Sequence, residues 1–509
     1  MPIDLPPPAT PDLAPAAEVQ AIQSRRYSGK FNNNSIEIFG PEGVSDEMFA
    51  AVLERADSLS TVVRMVAQLY YGSGVITART YYARVGDVVY VGVVDAGFSG
   101  ASVADPLAQY FEGVSENGRL NVSTFERGRA LASVHAERAN LDTQAAFVAS
   151  GEQVGFNLGA EQTGEKPTRF QMEIGNPGNR FVGRHFAHFE ARTGTDRGDE
   201  LRAFWRAGLM GLNNDVRADD YVEHLLSWSR VSNWGVISAA ARYINYDLLT
   251  TPNLTGELWY GELSWLDILH ADFDSRWTVH ARADRQTKVT ETRDGGERLQ
   301  WEPYWSGELG SNYSKVLGRA LNGAVSTEGT LVARKGFGGA GGRPITSADL
   351  SYLLIRPSLK LGWASAQGDW AVTLAARYQA TDDRVPEQQQ WVLGGTESVR
   401  AWLPGVAVGD KGGYASLTVA YQGFSLFDRR IKLEAFAEGA ETQFNAANDG
   451  SPGSAKAQLV DAGAELSVKP VPSVNLSLIA ASPLSDDNVN EAVLAEAEAD
   501  WFFRLTWDF

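Results

Sequence analysis

The segment Trp501-Phe-Phe-Arg-Leu-Thr-Trp-Asp-Phe509 alternates large apolar side chains (Phe503, Leu505, Trp507, Phe509) with polar ones (Arg504, Thr506, Asp508). Successive side chains of a strand point to opposite faces, so one face of this segment suits lipid and the other a wet lumen. A chain that closes on an aromatic in this way reads as the last strand of a transmembrane β-barrel, which points to a bacterial outer membrane.

Working back from that end, the same alternation recurs. In Asp369–Gln379, Trp370, Val372, Leu374, Ala376 and Tyr378 share one face, and Thr373, Arg377 and Gln379 the other. In Arg430–Ala440, Ile431, Leu433, Ala435 and Ala437 oppose Lys432, Glu434, Phe436 and Glu438. Residues 167–509, at roughly 20 residues per strand with its connection, make about 16 antiparallel strands, enough to leave a lumen. Phe427-Asp428 and Lys469-Pro470-Val471 read as short turns, and Glu441–Ala455 and Pro483–Asp500 as long external loops.

Ahead of the barrel the texture is α/β. Residues 1–26 open as a Pro-rich linker, and Ala16–Arg26 is compatible with a short helix or a disordered tether. Over residues 27–96 the order is strand, helix, helix, strand, strand. Ser45 stands before a helix carrying Met48, Phe49, Val52 and Leu53; Val62, Val63, Val66, Leu69 and Tyr70 form a second apolar stripe, and Val75–Val85 and Val88–Val94 meet at Gly86-Asp87 as a hairpin. Residues 97–163 repeat this order, with a capping box at Ser123-Thr-Phe-Glu126 and strands at Ala145–Ala149 and Gln153–Ala160.

Composition narrows the function classes. No run of about 18 apolar residues occurs, so a helical span is not expected, while a barrel escapes that test by using every second residue. There is no cysteine, which removes disulfides, thiolate metal sites and cysteine nucleophiles. The net charge of -18 opposes a nucleic-acid surface. His185 and His188 fall on opposite faces of an expected strand, so no metal pair forms there. Gly336–Gly342 lacks the Lys-Ser/Thr of a phosphate loop. No catalytic residues, metal site or cofactor are expected, and an enzyme is not. Met1-Pro-Ile-Asp4 carries no basic-then-apolar leader, so the numbering is expected to begin near a mature N-terminus.

The most specific stretch is Trp391-Val-Leu-Gly-Gly-Thr-Glu-Ser-Val-Arg-Ala-Trp402, followed by Gly409-Asp-Lys-Gly-Gly413. It resembles the signature loop of two-partner secretion transporters (TpsB type, the haemolysin/haemagglutinin secretion-activation family within the POTRA-plus-barrel superfamily), in which Gly-Gly-x-x-Ser-Val-Arg-Gly-aromatic precedes Gly-Asp-x-Gly. Gly394, Gly395, Ser398, Val399, Arg400, Trp402, Gly409 and Asp410 match; Ala401 departs. The family pairs its loop Arg with an acidic residue in a Phe-x-Asp-x-Gly wall motif. Here Ala435-Phe-Ala-Glu-Gly-Ala440 puts Phe436 and Glu438 inward, with Glu for Asp.

The resemblance implies an inward-folded loop at about 382–412 held by Arg400 and Glu438, two periplasmic POTRA domains at 27–96 and 97–163, and a helix near Ala16–Arg26 as a possible pore plug. It implies partners as well: a secreted exoprotein client, the bilayer with its lipopolysaccharide, and the barrel-assembly machinery, which would read Trp507 and Phe509. On residues alone, Arg400 is either such a lock or a surface-loop residue. Val75–Val85, with Val75, Ile76, Thr77, Ala78 and Arg79 leading, is either a client-binding edge or a plain hairpin. The function implied is translocation of an unfolded exoprotein; a barrel-assembly factor and a passive or polysaccharide-export channel are the alternatives.

Overall fold

The computed structural model describes all residues except 1–4, 23–24, 165–167, 180, 210–211, 213–217, 251, 339–347, 427–428 and 447–451. Two compact units result, one formed mainly by residues 1–165 and the other by nearly all of the rest. The Phe427-Asp428 turn, part of the glycine-rich run (339–342) and Met1–Asp4 lie outside the described residues.

The first unit holds two α/β modules. In the first, a sheet runs in the order Asp12–Leu13, Ala78–Val85, Val88–Asp95, Asn34–Gly40, Arg25–Phe31. Helices Asp46–Arg55 and Leu59–Gly72 bury Phe49, Val52, Val62, Val66 and Tyr70 against Ile36, Ile38 and Val91. Met48, expected on this stripe, is exposed. Ser45 stands at the N-cap position without a side-chain bond to the helix backbone, whereas Ser58 caps the second helix by accepting from the Thr61 N–H at 3.2 Å.

The second module keeps only part of that plan: strands Gly97–Val103, Leu141–Ser150 and Gln153–Gln162 stand in the sheet order first, third, second, and a 3-10 turn, Leu107–Phe111, with one α-helix, Val122–Ala139, takes the place of two helices. Two strands, not the one expected, precede the helices of the first module; the second of them, Asn34–Gly40, and Gly97–Val103 of the second module each pair parallel to the last strand of their hairpin. The helix begins one cap earlier than expected: Asn121, not Ser123, accepts the Thr124 N–H at 3.1 Å. A cluster of Phe111, Phe125, Phe147 and Phe156, with centroids 4.9–6.1 Å apart, fills its core.

The second unit is a closed antiparallel barrel of sixteen strands, from Thr168–Gly175 to Trp501–Asp508. Its side chains alternate as the period-2 pattern requires. Leu433 faces out exposed while Phe436 and Glu438 face in buried, and Trp259, Leu263, Trp305, Leu309, Leu331 and Leu374 add to an outer apolar surface that water would not tolerate on this scale. Connections alternate short and long. The short turn expected at Lys469–Val471 lies two residues later, because these residues continue strand Ala457–Val471 through a bulge and the hairpin closes onto Val474–Asp487. The last long connection likewise starts after Asp487 rather than at Pro483.

Closure joins the first and last strands from Gln171↔Asp508 to Gly175↔Arg504. Phe170 and Phe509 extend it by exchanging two backbone hydrogen bonds of 2.9 Å, with their rings stacked at 5.8 Å. Because Phe509 is well exposed on the outer face, its own burial in lipid contributes at most about 1.5–3 kcal/mol. Removal of Phe509 is therefore expected to lower outer-membrane yield far more than the thermal stability of refolded protein. Equal losses in the two measurements would show that it acts by packing alone.

Candidate functional site

The connection between strands Trp370–Gln379 and Lys411–Leu426 turns inward and carries a small hairpin, Trp391–Leu393 with Ala407–Gly409. Its tip folds on left-handed backbone. Gly394 has φ +99°, and a Cβ there would meet the Leu403 carbonyl oxygen at 2.2 Å, so only glycine fits. Val399 is also left-handed, at φ +41°, which is strained for a β-branched residue, and it is fully buried. That strain is held by packing: Leu393, Val399, Ala401, Trp402 and Leu403 pack with Phe436, Leu459, Ile479 and Phe502 of the wall.

Arg400 projects from this turn to the inner wall. Its Nη2 lies 3.0 Å from Glu438 Oε1, and its Nη1 is 3.6 Å from Glu434 and 3.5 Å from Glu465. The guanidinium carbon stands 3.9 Å over the Phe436 ring, so the aromatic inward position serves as a cation–π platform. The Arg400 N–H also donates to Glu438 Oε2 at 3.3 Å, and the Tyr414 hydroxyl donates to Oε1 at 2.8 Å. Burial makes this network consequential, since both partners are nearly or wholly shielded from solvent and a lone charge there would be costly.

Other contacts of the tip were not legible in the chain. Asp461, the direct cross-strand neighbour of Glu438, accepts the Ala401 N–H at 2.6 Å. Ala401, which stands where the signature loop it resembles has glycine, sits fully buried in the cluster, so the wall accommodates its methyl. The last long connection forms helix Glu491–Ala497 and descends onto the loop: the Leu403 N–H donates to Ala497 O at 2.7 Å and the Ala499 N–H to Ala401 O at 2.9 Å.

The Gly409-Asp410 half of the signature fastens the loop's base. A Cβ at Gly409 would stand 2.4 Å from Thr442 Oγ1. Asp410 is fully buried and accepts the N–H groups of Val385 at 2.9 Å and Asn445 at 2.8 Å, tying two connections to one carboxylate. Ser398 is buried, and its N–H donates to Gly395 O at 3.1 Å. His188 faces inward against Phe204, with His185 just before its strand, and among the described residues no metal-type cluster gathers.

A second anchor lies on the far side of the lumen. Val385 packs with Tyr304, Tyr352 and Leu354, Gln389 Nε2 donates to the Tyr304 hydroxyl at 3.3 Å, and Glu387 pairs with Lys288 of strand Ser275–Thr292. The loop therefore runs from one wall to another nearly half-way round the barrel. Lys288 is buried and directly opposes buried Glu302 across the ladder, whereas Glu387 is half exposed. Glu387→Ala is thus expected to cost about 3–5 kcal/mol by leaving the buried Lys288 ammonium without its ion-pair partner, and Lys288→Ala less, because the carboxylate it leaves is half exposed. Heat-modifiability on seminative gels checks this order; equal midpoints would show that Lys288 is not stranded by the loss of Glu387.

Where the first module was expected to offer a free edge, the structure places a neighbour. The strand begins at Ala78, and Val75 to Thr77 precede it. Its outer edge is occupied at Tyr81 and Tyr82 by Asp12–Leu13 running parallel, and Arg79 pairs with Asp12. The helix Ala16–Gln20, considered as a pore plug, instead packs on this sheet, burying Val19 against Phe39 and Ala83.

No protein-family model matches the chain, and neither does any curated protein sequence. Similar solved structures include CdiB from Escherichia coli, with TM-score 0.65 and 15% identity over 96% of this chain and 92% of that one. CdiB from Acinetobacter baumannii aligns at TM-score 0.61 and 13% identity over 96% and 91%. BamA from Haemophilus ducreyi lacking POTRA domains 1-3 aligns at 0.52 and 13% over 95% and 100%. The likeness establishes the fold: two POTRA-like modules followed by a sixteen-strand barrel.

Proposed function

We propose that this chain is a TpsB-type transporter of the outer membrane, which captures an unfolded exoprotein through its POTRA-like modules in the periplasm and passes it through the lumen. The observation that carries the reading is the strained Val399–Arg400 turn seated on Glu438, Glu434 and Glu465, because a loop held inside the lumen by charge pairs is a closure that can be released. The CdiB-like fold supports it, and no step calls for a nucleotide, metal or catalytic group. Release of the loop opens the path, and folding of the client outside draws it through.

The test is co-expression with the exoprotein encoded beside this gene, a large Asn/Gly-rich β-helical chain on this reading. Its appearance in culture supernatant only when the transporter is present is the expected result; supernatant levels unaffected by the transporter would sink the proposal. A barrel-assembly factor is the second reading. The short first-to-last pairing, Gln171–Gly175 with one further pair at Phe170, favours it, while the charge-seated inward loop favours secretion.

A further inference from the structure

We propose that the outer edge of strand Ala78–Val85 is a docking site for an extended, acidic segment of the client, added parallel to the strand, and that the chain's own Asp12–Leu13 is a built-in competitor for it. The proposal rests on the capture reading above and deepens it.

Three observations carry it. First, Asp12–Leu13 already makes the contact that a client would make. It pairs in parallel register with Tyr81 and Tyr82, and the Ala14 N–H donates to Tyr82 O at 3.0 Å. This is sheet extension by a segment from outside the module's own strand–strand–helix–helix–strand–strand order.

Second, the contact is built to be short. Pro11 and Pro15 flank it, and proline has no N–H with which to continue a ladder, so only two of the eight residues of Ala78–Val85 are paired on that side. Anchors lie on both sides of the pairing segment, the Tyr71 hydroxyl donating to Pro6 O at 2.6 Å and Val19 buried on the sheet. The two residues can leave the edge while the tether stays.

Third, Arg79 defines what may replace them. Its guanidinium is buried, stacks 5.1 Å from the centroid of Tyr81, and is held by one neutral acceptor, Gly151 O, and one carboxylate, that of Asp12. When Asp12 withdraws, the Arg79 guanidinium loses its carboxylate and keeps the neutral Gly151 carbonyl. An incoming segment with Asp or Glu at the matching position restores that carboxylate, and a basic or wholly apolar segment does not.

The experiment uses the full chain in detergent and, as probe, a fluorescent peptide with the sequence of residues 8–15. The Asp12→Ala/Ala14→Pro chain is expected to bind it at least about tenfold more tightly than the unaltered chain, since a tethered competitor acts at an effective concentration in the millimolar range. Adding Arg79→Gln to the chain, or replacing the peptide's Asp by Ala, should remove the gain. Equal binding to both chains, or indifference to Arg79, would overturn the proposal.

The capture reading is separated by export assays. With no native cysteine, Leu13→Cys/Tyr82→Cys can close the edge by a reducible bond. Export that stops on oxidation and returns with reductant supports the competitor. Export that ignores the bond yet is lost on deletion of residues 27–163 overturns this inference alone, whereas export that survives the deletion overturns capture itself.

Discussion

Arg400→Ala should unseat the inward loop, raising channel conductance and lowering export at least about tenfold. The guanidinium faces Glu438, Glu434 and Glu465 together, so its removal leaves three carboxylates on one patch of inner wall. Stranding a buried charge costs about 3–5 kcal/mol, against about 0.2–1 kcal/mol for an exposed pair. At about 1.4 kcal/mol per factor of ten, that is enough to carry a closed-to-open ratio of a hundred to one past even. Glu438→Gln should do less, because Arg400 keeps two carboxylates and the Phe436 ring. Arg400→Lys should fall between them, keeping the charge but losing the planar fork. The Arg400→Ala/Glu438→Ala double variant should be less than additive. Planar-bilayer recordings beside supernatant immunoblots check the series; independent effects in the double variant would dissolve the pairing.

Deletion of residues 27–163 should abolish export while leaving a heat-modifiable barrel in the membrane. The warrant is that barrel closure depends on strand pairing within residues 168–508 and its terminal aromatic, whereas capture depends on the α/β modules. The deleted stretch contains both modules' cores, each folded around its own apolar cluster, so their loss removes no strand of the barrel. Normal supernatant levels from the truncated chain would defeat the capture model.

What the chain made legible was the part with a local period. Strand alternation is set every two residues, so the inward direction of Phe436 and Glu438 and the sixteen-strand count followed from sequence alone. The Gly-Gly-x-x-Ser-Val-Arg run marked its own turn because left-handed backbone selects glycine, as at Gly394. Contacts set by tertiary folding had no such mark. Asp461 meets Ala401 only because strands Arg429–Gln443 and Ala457–Val471 pair in one register, and the descent of Ala497–Ala499 onto the loop is fixed by packing around Trp402. Lys288 and Glu387 are 99 residues apart in sequence and adjacent in the lumen. Asp12–Leu13 is too short, and too closely bounded by proline, to read as a strand, which is why the edge of Ala78–Val85 looked free.

The central claim, that a client passes through the lumen, is tested most directly by photo-crosslinking a stalled exoprotein from chosen barrel positions. Thr418 and Asn312 stand on inward-facing positions of their strands, beside Phe436 and Thr330, while Leu433 faces out and Met172 and Trp507 pair across the closing seam. Adducts from Thr418 and Asn312, and none from Leu433, Met172 or Trp507, are the predicted result. Adducts at Met172 and Trp507 with none in the lumen would contradict the account and favour barrel assembly at the seam.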